Sequence, residues 1–187
     1  MQNDNQEINV KNPTDLPLRS RSTVLSKQRA IDMIRNFDFY DAYKNPKGNG
    51  FSHRYTLHVK NGNKIVIDEE TNLMWQQSGF TYKIESNDSK KCIKELNKIC
   101  FAGYNDWRLP TLEEAMSLIE PQKSDSGLHI NAVFDKKQNW IWTSDRYMNG
   151  TQSWYVSFLN GSCGNMHLFN YGYDYVRAVR FNVNLND

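Results

Sequence analysis

The stretch Asp106-Trp107-Arg108-Leu109-Pro110-Thr111-Leu112-Glu113-Glu114 decides how this chain is read. Thr111 with Glu114 three residues on is a capping box: the threonine hydroxyl accepts a first-turn N–H, and the glutamate reaches back to the N-cap amide. Pro110 fixes the approach to this helix and Pro121 stops it. Just upstream, Cys92, Ile93, Leu96, Ile99 and Cys100 recur at helical spacing and predict a helix from about Ser89 to Cys100. Lys90, Lys91, Lys94 and Lys98 lie off that apolar stripe and read as a solvated face. Two helices therefore bracket a Trp-Arg-Leu-Pro link.

Further outward the pattern changes. Ala30, Ile31, Ile34 and Phe37 predict a helix over Ser22 to Phe39, capped by Ser26 or Ser22. Tyr55, Leu57 and Val59 alternate, as do Ile65 and Ile67. A loop of Asn61-Gly62-Asn63 pairs Val59 with Ile65 and brings the apolar faces together, so that register is expected. From Trp140 the chain reads as strands: Trp140 to Ser144, then Ser153 to Leu159 with Trp154, Val156 and Phe158 on one face. A two-residue Asn160-Gly161 turn sets Cys163 opposite Phe158. Tyr175 to Phe181 closes the series. Helices embedded among short strands, with no βαβ alternation, give an α+β class. The expected organisation is a flexible lead-in over 1–21, a helix and strand extension over 22–60, and a main domain over 61–182.

With 23 Lys+Arg against 21 Asp+Glu the net charge is +2, which argues against a dedicated nucleic-acid binder. No apolar run nears ~18 residues, so no membrane insertion is expected. The polar start Met1-Gln2-Asn3-Asp4 lacks the apolar core of a signal peptide. A cytoplasmic location is the expectation, with export the alternative if a leader has been removed. Cys92 and Cys100, eight apart on one helix, would sit about 12 Å apart. A disulfide requires less than about 7 Å, so both read as unbridged buried hydrophobes. Among 5 Trp, 10 Tyr and 9 Phe, most fall on apolar periodicities and read as core.

Catalytic signatures are missing from the sequence. It contains no CxxC, HExxH, EF-hand loop, GxSxG elbow or phosphate loop, and His53, His58, His129 and His167 are scattered. No cofactor and no metal is expected.

The quoted stretch resembles the bacterial DUF1566 family, also called the Lcl C-terminal domain. Val66-Ile67-Asp68-Glu69-Glu70-Thr71-Asn72-Leu73-Met74-Trp75, Trp142-Thr143-Ser144, Trp154-Tyr155-Val156-Ser157-Phe158 and Tyr175-Val176-Arg177-Ala178-Val179-Arg180 agree with it, over roughly residues 64 to 181. Asn72 replaces a usual Gly, a mild departure because Asn also takes the left-handed conformation. The resemblance implies a C-type lectin-like fold, with two helices around a small twisted, mostly antiparallel sheet. That fold is shared with formylglycine-generating enzymes and with variable proteins of diversity-generating retroelements. Within the motifs Trp75, Trp107, Trp142 and Trp154 read as core. Arg108, Arg177 and Arg180, with Thr111 and Glu114, read as structural, the arginines pairing with carboxylates such as Asp106 or with carbonyls.

The function expected is non-catalytic recognition of a protein or carbohydrate ligand. Tyr, Ser, Gly and Asn, the residues that paratopes favour, crowd the segment from Tyr147 to Tyr175. The expected ligand residues are Tyr147, Asn149, Tyr155, Asn165, His167, Asn170, Tyr171 and Tyr173. Residues 155–173 also have the composition of a retroelement-diversified segment. Residues 138–187 carry three Arg against three Asp, so polyanion binding by that face is not expected. One alternative is an enzyme of the formylglycine-generating type, for which Cys163 lacks a neighbouring second cysteine. Another is a structural or oligomer-forming domain.

Overall fold

The computed structural model describes residues 18–148, 150–167 and 173–182. Val24–Leu25 (β1) precedes helix α1 (Lys27–Asn36). The strands β2 (Tyr55–Lys60), β3 (Asn63–Asp68), β4 (Leu73–Gln76) and β5 (Ile84–Glu85) follow. Next come α2 (Ser89–Lys98) and α3 (Leu112–Ser117), and then the late strands. These are β6 (Trp140–Tyr147), β7 (Gln152–Ser157), β8 (Ser162–His167), β9 (Tyr173–Asp174) and β10 (Val179–Phe181). The class is mixed α+β. One sheet has the order β1-β6-β7-β8, with β1 parallel to β6; a second, antiparallel, has the order β10-β4-β3-β2. A ribbon of β5 and β9 lies beside them.

The capping box forms as the sequence predicts. Thr111 Oγ1 accepts from Glu114 N at 3.2 Å, and Thr111 N donates to Glu114 Oε2 at 2.9 Å. Asp145, fully buried, takes the Leu112 amide at the start of α3 and also both Arg19 Nη atoms and the Thr23 amide, each at 2.7–2.9 Å. Arg19, within the expected lead-in, is thus tied to the start of α3.

The inner strands of the second sheet, β3 and β4, are buried on both faces. Val66, Leu73, Trp75 and Val179 face a core shared with Ala30 and Ile34 of α1, Phe39, and Leu112 and Met116 of α3. Ile65, Met74 and Ala178 face Leu96 and Trp107. Trp75, Trp107, Trp142 and Trp154 are at most 2% exposed, as expected of core residues. Truncating any one to Ala would cost about 3–5 kcal/mol.

Five local expectations are corrected. The first helix starts at Lys27, not Ser22, because Val24 and Leu25 pair with Arg146 and Tyr147. Ser26 is the cap, its side chain accepting from Arg29 N at 3.2 Å. The β2–β3 hairpin pairs Val59 with Lys64, not Ile65. Asn61 and Gly62 both take positive φ (49° and 74°), the two-residue turn whose twist suits a hairpin. No apolar face forbids that register, because Leu57 and Val59 are 51% and 68% exposed on an edge strand. Between β7 and β8 the loop has four residues, and Cys163 lies opposite Val156, not Phe158. Phe158 leaves the ladder to bury its ring, its amide bonding Asn139 O and its carbonyl accepting from His129 N. Cys100 is exposed rather than buried, since α2 ends at Lys98 and Cys100 turns left-handed at φ 51°. Finally, the closing strand begins only at Val179. Tyr175 bridges instead to Ile141, and the intervening chain crosses from one sheet to the other. All three cysteines are free, as the spacing of Cys92 and Cys100 predicts for that pair.

Candidate functional site

The family-motif arginines are held in three ways. Arg108 grips Glu114 with two bonds of 2.6 and 2.7 Å. Arg180 grips Asp106 at 2.6 and 3.2 Å and stacks 3.8 Å over the Tyr104 ring. Arg177 is fully buried, donating Nη2 to Asp135 O and Gln138 Oε1 at 3.0 and 3.3 Å, with its guanidinium 4.8 Å from the Phe134 ring centre. Burial lowers Arg177 to about 9, with Asp135 and Tyr55 acting the other way, so it is charged at neutral pH. Arg108 and Arg180 fasten the link before α3, Arg180 from β10, whereas Arg177 ties the chain before β10 to the loop before β6.

The predicted ligand residues do not converge. Side chains alternate across a strand. In the register of the first sheet Tyr155 lies opposite Gly164 and Trp142, whereas Asn165 lies opposite Trp154 and Tyr147 opposite Gln152. Tyr155 therefore occupies one face, and Asn165 and Tyr147 the other. Tyr147 packs edge-on against Trp154, with ring centres 5.5 Å apart. The backbone of His167 pairs with Gln152 and that of Tyr173 with Glu85. Asn149, Asn170 and Tyr171 lie outside the described residues.

On the Tyr155 face a site is built. The Tyr155 ring stacks on the half-buried Trp140 at 4.8 Å and meets Trp142 edge-on at 6.3 Å. A β-carbon at Gly164 would collide with the Tyr155 hydroxyl, so the absence of a side chain there makes room for the phenol. Burial raises the Tyr155 phenol, and the charge of Asp174 raises it further. Asp174 sits on β9 opposite Ile84, beside the strand whose carbonyl takes the Trp142 indole N–H at 2.8 Å. It is 7% exposed, and its Oδ2 has no hydrogen-bond partner among the described residues. Burial pushes this carboxyl up to about 6 against the opposing pull of Lys83. Further along the face Arg146 donates to Ser86 Oγ at 3.3 Å and to Ser153 Oγ, and among the described residues it has no carboxylate partner.

Sequence reasoning missed Trp140, Arg146 and Asp174. Only Asp174 left a signal, a lone acid inside the aromatic run Tyr173-Asp174-Tyr175. The arrangement suits a neutral or cationic hydrogen-bonding ligand against an aromatic surface. It offers a carboxyl acceptor and a phenol, and a buried acceptor without a donor among the described residues favours any ligand that supplies one.

Two other clusters bear on chemistry. His53 is fixed at both nitrogens, Nδ1 to Asp68 Oδ2 and Nε2 to Ser117 O, each at 2.7 Å. Neither nitrogen is left to act on a substrate. Cys163 is buried, and burial pushes its thiol up to about 12. Among the described residues no three His, Cys, Asp or Glu gather at metal-ligand spacing, and no helix is long and apolar enough to cross a membrane.

Fold and motif residues together define a small mixed α+β domain with a buried framework of Trp and Arg. The sequence model of the Lcl C-terminal domain matches residues 64–180, and the chain belongs to that family. Neither the curated proteins nor the solved structures contain a match.

Proposed function

We propose that this protein is a non-catalytic recognition module of C-type lectin-like fold, binding a protein or glycan ligand at the Trp140–Tyr155–Asp174 face. The observation that carries the reading is Asp174: a buried carboxyl with an oxygen that no described residue satisfies, beside a partly open aromatic stack. Such groups cost stability and persist where a ligand completes them. Family membership and the pair of helices ahead of the late strands support the lectin-like assignment. A finer reading, a retroelement-diversified variable protein, rests on the Asn, Tyr and Ser content of residues 155–173. Its test is genomic, a near-identical template repeat beside a reverse transcriptase gene.

The protonated, buried Cys163 speaks against formylglycine-type chemistry, because the thiolate is the reactive form. The binding reading is tested with glycan and protein arrays probed by the wild-type chain, Trp140→Ala and Asp174→Asn. Hits that fall at least about tenfold in both variants are expected. Hits indifferent to both substitutions, or arrays without hits, refute this face.

A further inference from the structure

The other face of the same sheet ends in an open edge. β8 is the last strand of its sheet, so every second residue turns its backbone N–H and C=O away from β7. At Cys163 those outward groups are covered: the amide donates to Asp41 Oδ2 at 3.0 Å, and the carbonyl accepts from Lys44 Nζ at 2.6 Å. By the same alternation Asn165, two residues on, also presents its backbone outward. No described residue bonds to it.

A groove of about 500 Å³ lies here between β8 and α1. Its helical wall is Lys27, Ile31 and Arg35, spaced four residues apart on one stripe, with Tyr43 and Lys44 beside them. Lys27 and Arg35 are exposed, and neither has a carboxylate partner among the described residues, whereas Lys44 has Asp41 at 3.2 Å. One wall thus offers the outward N–H and C=O of Asn165, which no described residue takes, and the other is cationic around an apolar centre. Asp41, the acid beside Lys44, is fully buried and already holds the Tyr43, Lys44 and Cys163 amides. The groove's charge comes from residues 27–44, outside the balanced segment 138–187.

We propose that this groove is a second binding surface, which accepts an extended acidic peptide segment as an added strand on β8 at Asn165. The peptide backbone pairs with the outward Asn165 N–H and C=O, and its acidic side chains on one side reach Lys27 and Arg35. Strand addition takes its affinity from main-chain bonds and its selectivity from alternate side chains. The cations select against basic and neutral strands. Natural edges are usually blocked by charge or by a covering segment. Among the described residues that protection stops at Cys163.

The experiment is fluorescence anisotropy of a labelled peptide alternating Glu with Val, with the full chain titrated in. A lysine-for-glutamate peptide and dextran sulfate, a polyanion with no peptide backbone, serve as comparison probes. Asn165→Pro removes the outward N–H together with the side-chain amide, leaves the bonds to β7 at Gly164 and Met166, and suits an edge position. The paired variant Lys27→Glu, Arg35→Glu reverses the exposed charge without touching the ladder. Binding of the Glu peptide that falls at least about tenfold in each variant, and weakens with added salt, is expected. No binding up to about 1 mM peptide overturns the proposal. So does equal binding of the Lys peptide. Binding of dextran sulfate with loss only in the charge variant makes the groove a simple anion site, also against the proposal. A wild-type dimer that Asn165→Pro converts to monomer, seen by light scattering, shows β8 pairing with a second copy and overturns it likewise.

Discussion

Replacing Asp174 by Asn should make the folded protein more stable at neutral pH. The carboxyl's ordinary value of 3.8 rises to about 6 in the fold through burial. A group held above its unfolded value favours the folded state only while protonated. As pH climbs past 3.8 the unfolded chain gives up its proton while the folded chain keeps it until about 6. Stability therefore falls across that window and stays low above it. At 1.36 kcal/mol per pH unit, the difference is about 3 kcal/mol. Asn keeps the shape and carries no charge, but its amide also lacks partners, so the net gain expected is about 1–3 kcal/mol. Urea unfolding of both chains at intervals from about pH 4 to about pH 7.5 isolates the effect, since every other titrating group cancels in the difference. The variant's advantage should be close to zero at the acid end and grow to its full value near neutrality. Parallel curves, or a variant that is less stable at neutral pH, would refute the reasoning and remove Asp174 as a strained group.

Other substitutions have definite outcomes. Glu114→Gln leaves Arg108 without its carboxylate and weakens the cap of α3, so denaturant unfolding should show a loss of about 3 kcal/mol, whereas Glu69→Gln, at an exposed pair with Arg54, should change stability by less than about 0.5. Gly164→Ala should displace the Tyr155 ring from Trp140, altering the near-UV circular dichroism and costing about 1–3 kcal/mol. Thiol titration of the folded chain should find Cys100 reacting quickly, with Cys92 and Cys163 reacting only on unfolding; a rapidly reacting Cys163 would reopen the enzyme reading. Asp68 responds to pH in the opposite sense to Asp174. Burial pushes its carboxyl up, but bonds from His53, Thr71 and the Glu70 amide outweigh this and hold it below 3.8. Its contribution is full above 3.8 and is lost as acid takes the pH below that value, so Asp68→Asn should flatten the acid limb of the stability curve.

The parts legible in the sequence were those decided locally. A capping box, a Pro on either side and an apolar stripe are short-range signals, and α2 and α3 formed where those signals lay. The registers of β2–β3 and β7–β8 were not local. Matching apolar faces in sequence assumes that both faces of a pair are buried, and β2 is an edge strand whose Leu57 and Val59 meet water. In the second hairpin Phe158 obeyed the alternation in being buried but left the ladder to do so, binding Asn139 and His129 instead. The site was hidden for a related reason. Composition marked the late segment as recognition-like, yet strand alternation divides it, sending Tyr155 to one face and Asn165 to the other. The cations beside Asn165 come from α1, more than a hundred residues earlier, and no spacing rule connects them.

The fold shows elsewhere how it treats a buried carboxylate. Asp145 receives four N–H donors, from both Nη atoms of Arg19 and the amides of Thr23 and Leu112. Asp41 receives three amides and a lysine ammonium. Asp68 receives His53, Thr71 and the Glu70 amide. Each sits where the chain turns or where two elements meet, and each replaces its lost hydration with fixed donors, which is what a structural carboxylate needs. Asp174 is buried to a similar degree, yet its Oδ2 finds no donor among the described residues. If its role were to brace the β5–β9 ribbon, donors would be the expected complement, as at the other three positions, or an apolar residue would serve better. A carboxyl kept without donors among the described residues lowers stability. What it retains is hydrogen-bonding capacity that no described residue satisfies, next to an aromatic stack that is only half covered, and a ligand supplying a donor there would complete it.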